Sequence, residues 1–338
     1  MTVSVETPLL FVHIPKTAGM SMFRSLMEQF SGHGADMYNI SFTRPQLALD
    51  MAKDDKLAVY CGHYCFGYHE WFSRPVYYMT VLRHPVDRVL SLYLYVGQYR
   101  RSFGQRAQKL GLSLREFLTR EGQPDFYSDY MPWMEGKDTL RTFLECPSTA
   151  LDNDMVRHLS GFGMQGERCP PEALTLAKQN IEQCFSAVGI QEQYDATLEL
   201  LRKVFGWSWL KPSAVNKTRD KSKFNAAARD YIAQMNPLDM ALYEWVAERF
   251  EKHKNHAPAP VLIEGRDRQD SPASVLYRAV GSSPWREATA RGEKLPPPGM
   301  MRRAASAWGP PSRQGPMPGP GPGPRRRPGG PTGGSSGR

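Results

Sequence analysis

Between Leu9 and Phe30 the chain reads LLFVHIPKTAGMSMFRSLMEQF. An apolar run of β-branched and aromatic residues meets a proline, a lysine, and a glycine set between two hydroxyl residues, and then apolar residues return at helical spacing. That order predicts a strand buried on both faces running through a tight loop into a helix, the building unit of an open parallel sheet. Three further runs, KLAVYCGH, VYYMTVLR and CFSAVGI, repeat the strand pattern. Helical stripes stand around them: Phe23, Leu26, Met27 and Phe30 early, and Leu238, Leu242, Trp245, Val246 and Phe250 before the basic stop EKHK. The alternation predicts an α/β domain over 1–254, with a mainly parallel central sheet flanked by helices. From Gln98 to Asp138 the pattern lapses into a short helix, LSLREFLTRE, and an aromatic loop, PDFYSDYMPW. Such an excursion from the sheet suits an element that shapes a substrate site.

The net charge of +9 over 338 residues is unevenly spread. Residues 255–338 hold 13 basic and 5 acidic side chains and so carry eight of the nine net charges. The domain is near neutral, and the basic balance does not mark it as a nucleic-acid binder. The segment is rich in Pro, Gly, Ser and Arg from Pro296 onward, has too little apolar surface to offset its ordering entropy, and is expected to be disordered. Its charge suits weak contact with an acidic surface, with a solvated appendage as the competing reading. The five cysteines are odd in number, and Cys61 and Cys65 lack a second pair at ligand spacing. Neither a disulfide scaffold nor a metal site is expected. No leader and no apolar run of about 20 residues is visible, so the expectation is a cytoplasmic protein without a transmembrane segment.

Two loops carry the chemistry. After the first strand, backbone N–H groups from Thr17 to Ser21 would face one point at a helix N-terminus. Gly19 would allow the turn, Lys16 would add a point charge, and Thr17 and Ser21 would add hydroxyl donors: an anion site. A nucleoside-triphosphate loop needs its lysine after the glycines and a magnesium carboxylate nearby. Here Lys16 precedes Gly19, and no strand ends in a convincing aspartate. In VYYMTVLRHPVDRVLSLYLY, Arg83 closes a strand and Pro85 opens a helix. An Arg fork with Ser91 beyond it suits a second, separate phosphate. Two anion sites at strand carboxyl ends obey the crevice rule of open α/β sheets.

IPKTAGMS resembles the 5′-phosphosulfate loop of sulfotransferases that use PAPS (3′-phosphoadenosine 5′-phosphosulfate), and LRHPVDRVLSLY resembles their 3′-phosphate motif. The nearest likeness is to carbohydrate sulfotransferases, including heparan sulfate 2-O- and 6-O-sulfotransferases and their bacterial relatives. LDNDMVRHLSG, VGIQEQYDATLELLRKVFGW, VNKTRDKSKF and MNPLDMALYEWVAERF extend it more weakly to about residue 252, and Met20 stands where the family usually has Thr or Ser. The resemblance implies a P-loop-like sulfotransferase fold and transfer of a sulfuryl group from PAPS, without metal, to a hydroxyl of a glycan or glycoconjugate.

On that basis Lys16 is expected to stabilise the leaving phosphate, and the backbone of Thr17, Ala18, Gly19, Met20 and Ser21 to hold the 5′-phosphate. Arg83 and Ser91 are expected at the 3′-phosphate, with Lys217, joined by Arg219, closing over the cofactor or else lying in a solvated turn. His63 follows a strand end, its GH resembles the catalytic-histidine position of the 2-O-sulfotransferases, and it is the expected general base. His69 is the second candidate base and a substrate contact. His13 and His84, inside the motifs, are expected to pack or hydrogen-bond. Asn153 and Arg157, four apart on a helix, are candidates for acceptor binding, with a cap and a surface charge as the competing reading. Phe126, Tyr127, Tyr130 and Trp133 could stack on sugars or fold into a local core. Two rival readings stand: an ATP-dependent kinase on a degenerate P-loop, and a non-catalytic protein that binds anionic glycans.

Overall fold

The computed structural model describes residues 3–30, 56–121, 130, 133, 139–162, 168–207 and 224–267, together with the backbone of 35–37. Lys217, Arg219, Phe126, Tyr127 and the tail beyond 267 lie outside the described residues.

The four apolar runs form strands: β1 (Leu9–Val12), β3 (Val59–Gly62), β4 (Val76–Leu82) and β5 (Phe185–Ile190). With β2 (Ala35–Met37) they lie in the order β2-β3-β1-β4-β5, every pairing parallel. β1 and β4 are buried at every position because both have neighbours on each side and helices above and below. The fold is α/β, with a mostly parallel sheet flanked by helices. One exception comes from past residue 254, where β6 (Leu262–Ile263) runs antiparallel to the first two residues of β4. Strands of two or three residues carry no readable alternation, so neither β2 nor β6 is evident from pattern alone.

The helices are α1 (Gly19–Gln29), α2 (Pro85–Lys109), α3 (Leu114–Arg120), α4 (Leu140–Leu144), α5 (Asp154–Ser160), α6 (Glu172–Cys184), α7 (Tyr194–Phe205), α8 (Ala226–Met235) and α9 (Pro237–His253). In α1 the buried face is Gly19, Met22, Ser25 and Leu26, whereas Met27 is 40% exposed. The apolar stripe read from sequence therefore sits about one position off, because Gly19 and Ser25 let the helix approach the sheet. In α9 Leu242, Val246 and Phe250 point inward as the spacing predicts.

α2 runs through Gln98 to Lys109, where the sequence suggested a break. Its inner face nucleates a second core, in which Val89, Val96, Phe117, Trp133, Phe143 and Ile232 meet. α3 is opened by a capping box, in which Ser113 Oγ accepts from Glu116 N–H while the Glu116 carboxylate accepts from Ser113 N–H. Tyr130 and Trp133 are buried in this core, Tyr130 stacked on Phe143 at 5.5 Å. They pack inward and are not platforms for a sugar.

Connections from β1 leave toward β2 and β3, and those from β4 leave toward β5. The order reverses between β1 and β4, so the crevice at their carboxyl ends is the topological switch point, where ligands of open α/β folds bind.

Candidate functional site

The loop after β1 holds two non-glycine residues in the left-handed region, Lys16 (φ 72°) and Ala18 (φ 70°). For residues with a Cβ this conformation is costly, and it persists only where neighbours enforce it. Arg83, buried at the end of β4, reaches across the crevice and donates from Nη1 to the Lys16 carbonyl oxygen at 3.1 Å. Thr17 is fully buried, and its hydroxyl donates to the Ile14 carbonyl at 2.9 Å. Expected as a ligand donor, that hydroxyl instead ties the loop to the strand end. Gly19 also has a different reason from the expected turn. A Cβ there would fall 1.7 Å from His13 Cδ2, so only glycine lets the imidazole pass beneath the helix start.

The first amides of α1 have no intrahelical acceptor. Among the described residues, those of Thr17, Ala18, Gly19 and Met20 have no backbone partner, while Ser21 N–H bonds the Ala18 carbonyl at 3.0 Å. The Ser21 amide, expected to face an anion with the others, is thus already bonded within the chain, and Met20 is exposed. Lys16, in the same loop, is half-buried. Loss of solvation, with the nearby Arg83 charge, lowers its pKa to about 8. Ser91, two turns into α2, is half-buried.

β3 lies beside β1, and the ladder continues one residue further as His13 N–H bonds the Gly62 carbonyl at 2.9 Å. This sets His63 beside His13, ring centroids 4.3 Å apart. His63 Nδ1 lies 2.6 Å from the His13 carbonyl oxygen. A carbonyl only accepts, so Nδ1 carries the proton and Nε2 bears the lone pair. Burial lowers the His63 pKa, the His13 carbonyl raises it, His158 and Lys16 push it down and Asp154 pushes it up. His13 itself is buried and held neutral by burial and by the surrounding positive groups. His84, by contrast, packs edge-on against Tyr243, and its N–H bonds Glu192.

Three residues expected at the acceptor have partners within the fold. His69 is buried, its Nδ1 3.1 Å from the Tyr78 hydroxyl and its ring against Phe66. Asn153 is buried and left-handed, and its Oδ1 accepts from Leu238 and Asp239 N–H at the start of α9. Asp239 returns the contact, accepting from Met155 and Val156 N–H at the start of α5. The two helices cap one another. Arg157 is fully buried, with Nε on the Asp152 carbonyl, an ion pair to the Asp152 carboxylate and its guanidinium over Phe162. These side chains are committed to packing.

The same segment held what the sequence reading passed over. Asp154 and His158, four apart, share one face of α5. Asp154 pairs with the fully buried Arg88 at 2.9 Å, and His158 Nδ1 lies 2.7 Å from the Asp154 carbonyl and 3.2 Å from its carboxylate. Burial alone would raise the Asp154 pKa, but His158 and Arg88 hold it below the usual carboxylate value. An Asp and a His at helical i, i+4 spacing, with Arg88 in the second motif, was the available signal.

Lys16, the amides of Thr17–Met20 and the buried Arg83 fit a phosphate-bearing ligand: fixed N–H donors, one ammonium and one guanidinium at the switch point. Among the described residues no group of three or more His, Cys, Asp or Glu is placed to hold a metal, and all five cysteines are free.

No family model matches the chain. It is 30% identical over 210 residues to heparan-sulfate 6-O-sulfotransferase 3 of Mus musculus, covering 58% of this chain and 42% of that protein. It is 27% identical over 255 residues to heparan-sulfate 6-O-sulfotransferase 1-B of Danio rerio, covering 70% and 58%. With heparan-sulfate 6-O-sulfotransferase 2 of Gallus gallus the figures are 27% over 223 residues, 60% and 51%. The chain spans about half the length of the curated relatives it matches. The likeness to these relatives also contradicts the expectation of a cytoplasmic protein. That expectation had rested only on features not seen in the sequence; among the described residues no helix is long and apolar enough to cross a membrane. The likeness supports the PAPS-dependent carbohydrate sulfotransferase family, the one toward which both loop motifs point.

Proposed function

We propose that the chain transfers a sulfuryl group from PAPS to a hydroxyl of a glycan or glycoconjugate. The observation that carries this reading is the meeting, at one strand-end crevice, of a phosphate cradle, a lysine of lowered pKa and a histidine whose Nε2 is left as acceptor. The bound donor supplies the sulfuryl group. The amides of Thr17–Met20 hold its 5′-phosphate, and Arg83 and Ser91 lie toward its 3′-phosphate.

His63 takes the acceptor proton at Nε2, and its Nδ1–H on the His13 carbonyl keeps the ring in that tautomer as positive charge develops. Its lowered pKa leaves it neutral near pH 7, the state a base requires. Lys16, still mostly protonated there, meets the negative charge that develops on the departing phosphate oxygen. No metal takes part in these steps. The relatives' names supply a glycan as the acceptor class; the position sulfated is not part of the proposal.

Calorimetric titration with adenosine 3′,5′-bisphosphate and with 5′-ADP, both without magnesium, tests the reading. Preference for the bisphosphate, lost in Arg83→Ala, is expected. Equal or magnesium-dependent binding of ADP would replace this reading with a kinase. Binding of neither by folded protein would favour a non-catalytic glycan-binding role.

A further inference from the structure

Lys16 is held at both ends. Its carbonyl oxygen receives Arg83, and its Nζ lies 3.7 Å from the centroid of the Tyr95 ring. Tyr95 comes from the third turn of α2, the helix that leaves β4 and passes beside the β1 loop. The ring is anchored along that helix. Its hydroxyl donates to Tyr99 Oη at 3.0 Å, the two rings lie 4.8 Å apart, and Tyr99 rests on the buried Phe103 at 5.1 Å. Residues 95, 99 and 103 therefore form one i, i+4, i+8 row tying an exposed ring to the second core.

Core packing does not require an aromatic at this position, since Tyr95 is 39% exposed. What the ring does contact is the lysine of the β1 loop. A cation seated on a ring face and partly stripped of water is attracted by the ring quadrupole more strongly than one in open solvent. A lysine side chain otherwise loses much rotamer freedom when it engages a ligand, and a prior seat removes part of that cost.

We propose that Tyr95 is a positioning residue, whose ring fixes the Lys16 ammonium over the loop before the donor arrives. Its consequence for donor binding rests on the sulfotransferase reading; the contact itself does not. The hydroxyl matters only in steadying the ring, so phenylalanine keeps most of the effect and leucine, similar in bulk but without a quadrupole, does not.

The test uses full-length protein with ¹³C-methylated lysines, the Lys16 resonance being assigned by its loss in Lys16→Arg. In wild type and Tyr95→Phe the Lys16 methyl signal is expected upfield through the ring current, and in Tyr95→Leu it moves to the position of a solvated lysine. Affinity for adenosine 3′,5′-bisphosphate is expected to fall about three- to thirty-fold in Tyr95→Leu and to be restored in Tyr95→Phe. Matching Lys16 signals in wild type and Tyr95→Leu, or a Phe variant as weakened as the Leu variant, would overturn the proposal. If wild type binds no bisphosphate, the sulfotransferase reading fails, and the ring-current shift alone decides whether Tyr95 positions Lys16.

Discussion

Arg83 donates to the carbonyl oxygen of Lys16, so a residue at the start of the second motif holds the backbone of the first in a left-handed turn. A charge-assisted bond of this kind, from a buried guanidinium, offsets much of the conformational cost at Lys16. Arg83 thus shapes the cradle as well as charging it.

Arg83→Lys is accordingly expected to behave much like Arg83→Ala. A lysine keeps the charge but lacks the planar fork that spans from β4 to the loop. Bisphosphate affinity should drop at least about tenfold in both variants, the cost of roughly one charge-assisted hydrogen bond. Calorimetry measures this, and near-wild-type affinity in the lysine variant would mean that charge alone suffices.

Removing the base separates chemistry from binding. His63→Ala should lower kcat by about 10²–10⁴-fold while leaving bisphosphate affinity within about threefold. Equal losses in both quantities would instead mark His63 as part of the binding surface.

The pH dependence of kcat/KM follows from the free protein's two groups. His63 must be deprotonated, and its pKa is lowered, so the rate should rise with pH through a midpoint below the usual 6.5. Lys16 must be protonated and titrates at about 8, so the rate should fall as pH rises through that region. A bell is expected, and in Lys16→Arg the alkaline limb should vanish because a guanidinium stays charged. An alkaline limb that survives in that variant would assign it to another group.

The reciprocal caps predict a stability effect in place of a substrate effect. Asn153→Ala leaves Leu238 and Asp239 N–H without their acceptor and should cost about 1–2 kcal/mol, seen as a lowered Tm. Acceptor KM should change little at temperatures where the variant is folded. A large rise in KM with an unchanged Tm would return Asn153 to the acceptor site.

Gly19→Ala is expected to be severe although Gly19 has no positive φ. The new methyl would displace the His13 ring, and with it the carbonyl that orients His63. Loss of activity out of proportion to a modest fall in Tm is the expected signature, read from kcat and thermal melts on one preparation.

Local order was legible where a single stretch of chain decides it. The runs at Leu9, Val59, Val76 and Phe185 could only be strands buried on both faces, and Pro85 and Ser113 mark helix starts by their own chemistry. Lys16 before Gly19 was enough to set aside a magnesium-triphosphate loop. Partnership across the chain was not legible, because it depends on which polar groups become buried together. Arg157 and Asn153 looked like surface ligands, yet folding encloses them, and an enclosed polar group must find a partner. Asp152 and the start of α9 supply those partners. Thr17 likewise turned from ligand donor to loop tie through Ile14. The sequence by itself determined the four apolar strands, the two loops and the residue types that meet there. Tertiary structure decided which side chains remain available for chemistry, because the β1–β3 ladder sets His63 against the His13 carbonyl and the length of α2 brings Tyr95 under Lys16.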